Sequence, residues 1–336
     1  MTPPRSDVSA STVAEWVEGR ADDPSLVSGE ELVDLRRMLE RVALDSAADA
    51  EMNGPTSDEP WRLGKARLAD LTRCERLART DRGGTDLSPG IVKGVALDHF
   101  IAHRLWVGPV TAPAEELKSM AVATADHDLE AFLDSFTDDD LDEMLAPLAA
   151  AAEAWSGLDA SWWPRVQTSA SLVLADGAVV SAGRVDVELG GPLTGRPSLV
   201  VEVKSSTGVR ADHAAEAYLY ALLVALRDDQ APVAVALWYP GGAVVDFPVS
   251  VGTLRAAAAR LADGIVTWSE LVAGRPPRES PGAWCRWCPD ADRCPSAQVD
   301  ASSDGPGHEG PGNDGPGNEG PGDDGPGNED DPGRFG

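Results

Sequence analysis

Apolar residues recur at helical spacing over the first half of the chain, and near residue 162 the pattern turns to that of strands. In residues 29–52, Leu32, Leu35, Met38, Leu39, Val42 and Leu44 fall near helical spacing, which predicts an amphipathic helix ended by Asn53-Gly54-Pro55. Further helices are predicted over 65–79, with Cys74 near its C-terminal end, and over 91–106. Residues 112–153 set Leu129, Phe132, Leu133, Leu141 and Leu145 among acids, which predicts a helical insertion with a solvated face. After Trp162-Trp163-Pro164, the segments 165–175 and 178–189 are rich in β-branched residues, and Asp176-Gly177 between them is a hairpin signal. A Gly/Pro loop (190–197) leads to a short apolar strand, 198–204. A helix over 211–227, strands over 232–239 and 243–249, and a helix over 252–262 complete the reading. That order predicts an α/β sheet domain with helical additions.

The two ends read differently. Residues 1–28 are polar and carry Pro and Ser, which predicts a loose leader before a domain over 29–298. Residues 299–336 contain the repeats GPGHE, GPGND, GPGNE, GPGDD and GPGNE. Glycine is not at every third position, so this is no collagen, and without apolar residues nothing offsets the entropy of ordering; the tail is expected to be disordered. The net charge of −28 excludes a protein that binds nucleic acid through overall positive charge. Its distribution softens that exclusion, because residues 301–336 hold nine acids against Arg334 and residues 112–153 hold twelve against Lys118. The rest is mildly acidic and leaves room for a locally basic groove. No run approaches the roughly 18 apolar residues of a membrane helix, and MTPPRSDVSASTVAEWVEGR lacks the apolar stretch of a signal peptide. A cytoplasmic protein with no membrane partner is expected.

The candidate chemistry lies in the strands. Gly183-Arg184-Val185-Asp186 falls late in one predicted strand, and Glu202-Val203-Lys204 ends a later one. Strand alternation puts Glu202 and Lys204 on one face and turns Val203 the other way. If these strands pair, Asp186 lies beside Glu202. The two carboxylates and a main-chain carbonyl, that of Val203, then make a hard oxygen site suited to Mg2+ or Mn2+. A neighbouring lysine could orient or deprotonate a water attacking a phosphodiester. Glu202 follows Leu199, Val200 and Val201, a setting in which a buried charge requires a partner. Arg184 is expected to face away from Asp186. Cys285, Cys288 and Cys294 form one compact run, and Cys74 is a distant fourth thiol. In a reducing compartment four such thiols suit Zn2+ or an iron-sulfur cluster, and spacing alone does not choose between them.

GRVDVEL, VVEVKSS and a helix bearing Glu216 and Tyr220 resemble the RecB-like branch of the PD-(D/E)XK nucleases, in which a G-x-x-D strand, an E-x-K strand and a Q-x-x-x-Y helix assemble the site. One cysteine before these motifs and three after, flanked by Trp284 and Trp287, resembles the iron-sulfur nucleases of that branch, including the CRISPR-associated exonucleases. The resemblance covers about residues 64–295. It implies a restriction-endonuclease-like core sheet flanked by helices, with Asp186 and Glu202 as metal ligands and Lys204 as the catalytic lysine. Tyr220 would position DNA or the lysine, and a [4Fe-4S] cluster on Cys74, Cys285, Cys288 and Cys294 would staple the core.

The chain departs from the pattern at Glu216, where glutamine is expected, and at Asp98, which with His99 next to it stands where relatives carry histidine. Glu75-Arg76 also follow Cys74 where proline is common. Asp98, rather than His99, is taken as a further metal ligand. The implied activity is metal-dependent cleavage of DNA, single-stranded or with free ends, in repair, recombination or defence. The alternative is a weak or inactive iron-sulfur DNA-binding scaffold acting with a helicase or another partner. Arg165, Arg184, Lys204, Arg210 and His213 are candidates for phosphate or base contact, and Trp162 and Trp163 for base stacking.

Overall fold

The computed structural model describes residues 13–50, 54–80, 87–205, 211–241 and 244–297. In chain order the elements are α1 (Val13–Glu18), α2 (Gly29–Asp49), β1 (Trp61–Arg62), α3 (Lys65–Arg73), α4 (Glu75–Arg79), α5 (Pro89–Trp106), α6 (Pro113–Thr124), α7 (His127–Asp134), α8 (Asp138–Ala152), β2 (Arg165–Leu174), β3 (Val179–Gly191), β4 (Arg196–Val203), α9 (Ala211–Asp228), β5 (Ala234–Trp238), β6 (Val244–Pro248) and α10 (Val251–Val272). Local chemistry explains several helix starts. Ser28 and Glu31 close a capping box on α2, Ser88 caps α5 with Pro89 in its first turn, and Thr137 caps α8 ahead of Asp138, Asp139 and Asp140. Acids in that first turn complement the helix dipole, so part of the insertion's acidity is structural.

The strands form one six-stranded mixed sheet flanked by helices. β3 is its axis. Antiparallel β2 covers one edge of β3, while the other edge is divided between parallel β1 at Val179–Val180 and antiparallel β4 from Val187 onward. β5 runs parallel to β4, and β6 returns antiparallel to β5. Val185, Val200, Val235 and Leu237 share a core with α2, α9 and α10; Val187, Leu199, Val201 and Ala236 share another with α1 and α5 to α8. Along β4 the alternation is regular. Along β3 it breaks, because Val185 and Val187 are two residues apart yet lie in opposite cores. Asp186 sits at that break, and across from it Gln167 of β2 has φ 51°. A buried charge group joins α9 to the sheet: fully buried Glu188 takes two hydrogen bonds from Arg227 (2.9 and 2.8 Å) and pairs with Arg165 at 2.9 Å.

Several expectations are corrected. The described part of the leader, residues 13–28, is packed: Val13 and Val17 are buried, and Leu26 bridges Ser250. An apolar Val13/Val17 pair at i, i+4 outweighs the polar composition around it. The helix expected over 65–79 is two helices, because Cys74 is extended (φ −163°, ψ 116°). The break is held from outside: the Glu75 amide donates to the Arg278 carbonyl, and the Glu75 carboxylate accepts from Arg275 and from the Arg278 amide. β3 extends into the expected 190–197 loop, and the last helix runs ten residues past 262, to Val272. Residues 1–12 and 298–336, which include the repeat tail, lie outside the described residues. Among the described residues no helix is long and apolar enough to cross a membrane.

Candidate active site

The site opens where β3 and β4 part. Their ladder stops at Val187 and Val201, and beyond it the Val203 amide donates to Asp186 Oδ2 (2.8 Å) instead of to a strand carbonyl. Gln167 Nε2 donates to Asp186 Oδ1 (3.3 Å), and the same side chain hydrogen-bonds Asp98 of α5. Glu202 is 1% exposed. Its Oε1 accepts from two amines, Lys65 Nζ at 2.8 Å and Lys204 Nζ at 2.9 Å, while its Oε2 has no partner among the described residues. Lys204 also donates to Glu216 Oε2 of α9 (2.8 Å). Lys65 lies 5.1 Å from the centre of the Tyr220 ring. Gly183 makes room for that ring, since a Cβ there would sit 2.5 Å from Tyr220 Cε1. Asp98, Asp186, Glu202, Val203 and both lysines line one open cleft of about 300 Å3, with His213 also on its wall.

The titration directions follow from crowding. Burial, then the charge of Glu202, pushes the Asp98 carboxyl up to about 7. Asp186 is raised well above the ordinary carboxylate range by burial, and then by Glu202 and Asp98. For Lys204 burial opposes the charge, but Glu202 and Glu216 outweigh it and hold the amine above its usual value. Lys65 shows the same balance, with Glu202 the main attraction. Burial pushes the Tyr220 phenol up to about 12. Four carboxylates therefore face two ammonium groups, and the excess acid calls for protons or a cation.

Among the described residues no three His, Cys, Asp or Glu side chains stand as a finished ligand shell. Donor chemistry nonetheless fits a hard divalent cation: Glu202 Oε2 is buried and unpartnered, and two aspartates of raised pKa share its cleft.

The structure thus brings together Asp98, Asp186, Glu202, Val203, Lys204, Glu216 and Tyr220. His99 is engaged elsewhere, at 2.8 Å from Glu116. Two contact expectations are corrected. Arg165 is held by buried Glu188. Trp162 is fully buried and donates to Glu18, so it offers no stacking face. Arg184 is exposed on β3, and its charge is close enough to pull slightly against the upward shift of Asp98. Trp163 is exposed, His213 Nδ1 lies 3.1 Å from the Tyr239 hydroxyl, and Arg210 lies outside the described residues. Sequence reasoning missed Lys65 and Gln167. Lys65 opens α3 three positions after the end of β1, a placement that no motif announced.

All four cysteines are free and line one cavity between α4 and the 280–297 segment. Cys74 and Cys294 are buried, and Cys288 is close enough to Cys74 and Cys285 to feel their charge. Arg76 reinforces the junction, pairing with Glu279 (2.6 Å) and Asp290 (3.3 Å). Four thiols on one cavity fit a thiolate-held metal group.

No family model matches this chain, and no curated protein matches it. A solved structure described as "Crystal structure of SSO0001" is similar at 14% identity, over 62% of this chain and 98% of that one, with a TM-score of 0.29. At that level the likeness carries no argument.

Proposed function

We propose that the chain is a metal-dependent nuclease of the PD-(D/E)XK type, cleaving phosphodiester bonds of DNA that is single-stranded or has free ends, in the cytoplasm. One observation carries the reading: among the described residues a buried oxygen of Glu202 has no partner, in a cleft that Asp98 and Asp186 also line. Asp98, Asp186, Glu202 and the Val203 carbonyl would hold Mg2+ or Mn2+. Such an ion, when bound, offsets charge developing on the phosphate. The remaining tasks fall to this chain's own groups. Lys204, held by Glu202 and Glu216, would orient the attacking water or take up its proton. Glu216 steadies the Lys204 amine, which gives its replacement of glutamine a role. In the reaction water adds to phosphorus, one P–O ester bond breaks, and the leaving oxygen takes up a proton. Cys74, Cys285, Cys288 and Cys294 would hold a [4Fe-4S] cluster, with zinc as the alternative, joining α4 to the C-terminal segment as a staple.

The test is cleavage of single- and double-stranded DNA in Mn2+ by the parent, Lys204→Ala and Glu202→Gln. Each substitution should lower turnover by about a hundredfold or more. Equal cleavage by parent and variants overturns the catalytic assignment. DNA binding by a parent that never cleaves would favour a scaffold that works with a helicase or another partner.

A further inference from the structure

Two amines meet on one oxygen of Glu202, and they are not equivalent. Lys204 is 12% exposed and has a second carboxylate, Glu216, at 2.8 Å. Lys65 is 36% exposed. Among the described residues Glu202 is the one carboxylate its amine bonds; its second bond is to the neutral Tyr220 phenol, whose ring centre lies 5.1 Å away. Lys204 is therefore held by two carboxylates, while Lys65 is held by one carboxylate and a neutral phenol and is the more exposed of the two.

Charge decides what each amine does when the cleft fills. Asp98, Asp186, Glu202 and Glu216 carry four negative charges when ionised, and the two lysines supply two positive ones. A divalent cation brings the group to neutrality, and a phosphodiester then adds one uncompensated negative charge. A cation on Glu202 also weakens the pull of that carboxylate on both amines, by simple repulsion at short range. Lys204 remains held by Glu216. Lys65 is the amine left with no second carboxylate, and it is the more exposed of the two. Lys65 also lines a small pocket between α3, α9 and α10, together with Arg260 and Glu216.

We propose that Lys65 is a substrate-holding residue whose ammonium binds a backbone phosphate of nucleic acid entering the cleft, while Lys204 stays at the reacting centre. The identity of that anion as a nucleic-acid phosphate rests on the nuclease reading; the division of labour between the amines rests on their unequal tethering.

The experiment is equilibrium binding of a labelled single-stranded oligonucleotide to the full chain in Ca2+, across a range of salt concentrations, with turnover in Mn2+ measured in parallel. The proteins are the parent, Lys65→Ala, Lys65→Gln, Lys65→Arg and Lys204→Ala. Lys65→Gln keeps a hydrogen bond to Glu202 and guards against misfolding of the alanine variant. Loss of the Lys65 charge should weaken binding by roughly tenfold and reduce the slope of log Kd against log salt by about 0.7, the value of one single-strand phosphate contact. Lys65→Arg should keep the slope, and Lys204→Ala should keep both affinity and slope while losing turnover. A parental salt slope in both uncharged variants overturns the assignment, whatever happens to turnover. If the parent binds without cleaving and the slope still falls in the uncharged variants, the Lys65 proposal stands and the nuclease reading fails. A parent that does not bind DNA overturns both.

Discussion

Replacing Asp98 by asparagine should remove a pH-dependent loss of stability that the parent shows without metal. Burial and the neighbouring charge of Glu202 push this carboxyl up to about 7, against about 3.9 for an unperturbed aspartate. Between those values the folded protein holds a proton that the unfolded chain has released. Stability therefore falls as pH rises through the window, and the loss is complete above about 7. A displacement of about three units corresponds to about 4 kcal/mol at most. Asp186 belongs to the same acid group and shares the proton uptake, so about 2–4 kcal/mol is the expected span. Urea unfolding in EDTA between about pH 4 and 8 measures it. Asparagine is nearly isosteric with aspartate, and both proteins carry the same background of excess acid, so the difference between their slopes isolates the carboxyl. Mn2+ should flatten the parental slope, because a cation in the cleft replaces the proton as the neutralising charge. Parallel pH profiles for parent and Asp98→Asn in EDTA would refute the reasoning.

Gly183→Ala should destabilise the fold by about 1–3 kcal/mol, as overpacking does, because the new methyl would stand 2.5 Å from Cε1 of a ring that is 2% exposed. Thermal melts of the single variant and of Gly183→Ala in a Tyr220→Leu background check this; the penalty should shrink once the ring is gone. Protein purified without air should contain iron and sulfide and absorb broadly in the visible, and Cys285→Ser or Cys294→Ser should lose both. A colourless parent with stoichiometric zinc would move the assignment to zinc, and a parent without metal would remove the staple.

The sheet and most helices were legible because periodicity is a local property, and strand alternation alone was enough to place Glu202 and Lys204 on one face. What escaped was set by contacts across the chain. Lys65 meets Glu202 over 137 positions, and nothing in a run such as LGKARL says where the first residue of a helix will point. Gln167 reaches its place through a left-handed backbone inside a strand, which its neighbours do not encode. The break at Cys74 depends on Arg275 and Arg278, about 200 residues away, so local propensity read one helix where tertiary bonds impose two. Arg165 and Trp162 looked available because charge and aromaticity are visible in a sequence, whereas Glu188 and Glu18 as their partners are not.

α3 ties the two candidate sites into one mechanical unit. Lys65 is its first residue and Cys74 follows its last, so about 13 Å of helix separates the cleft from the cysteines. One end is held by the ion pair of Lys65 with Glu202, and the other by the bonds of Glu75 and Arg76 to the 275–293 segment. Between them Leu68 packs so closely on α10 that a Cβ at Gly264 would lie 2.3 Å from it. A helix bonded at both ends and packed along its side ties the position of Cys74 to that of the Lys65 backbone. Under the proposed function, a metal group on the four cysteines would therefore act on catalysis without electron transfer, by fixing where Lys65 meets the substrate. Lys204 and Glu202, carried by the end of β4 and tied to β5 and α9, would be far less sensitive to its loss.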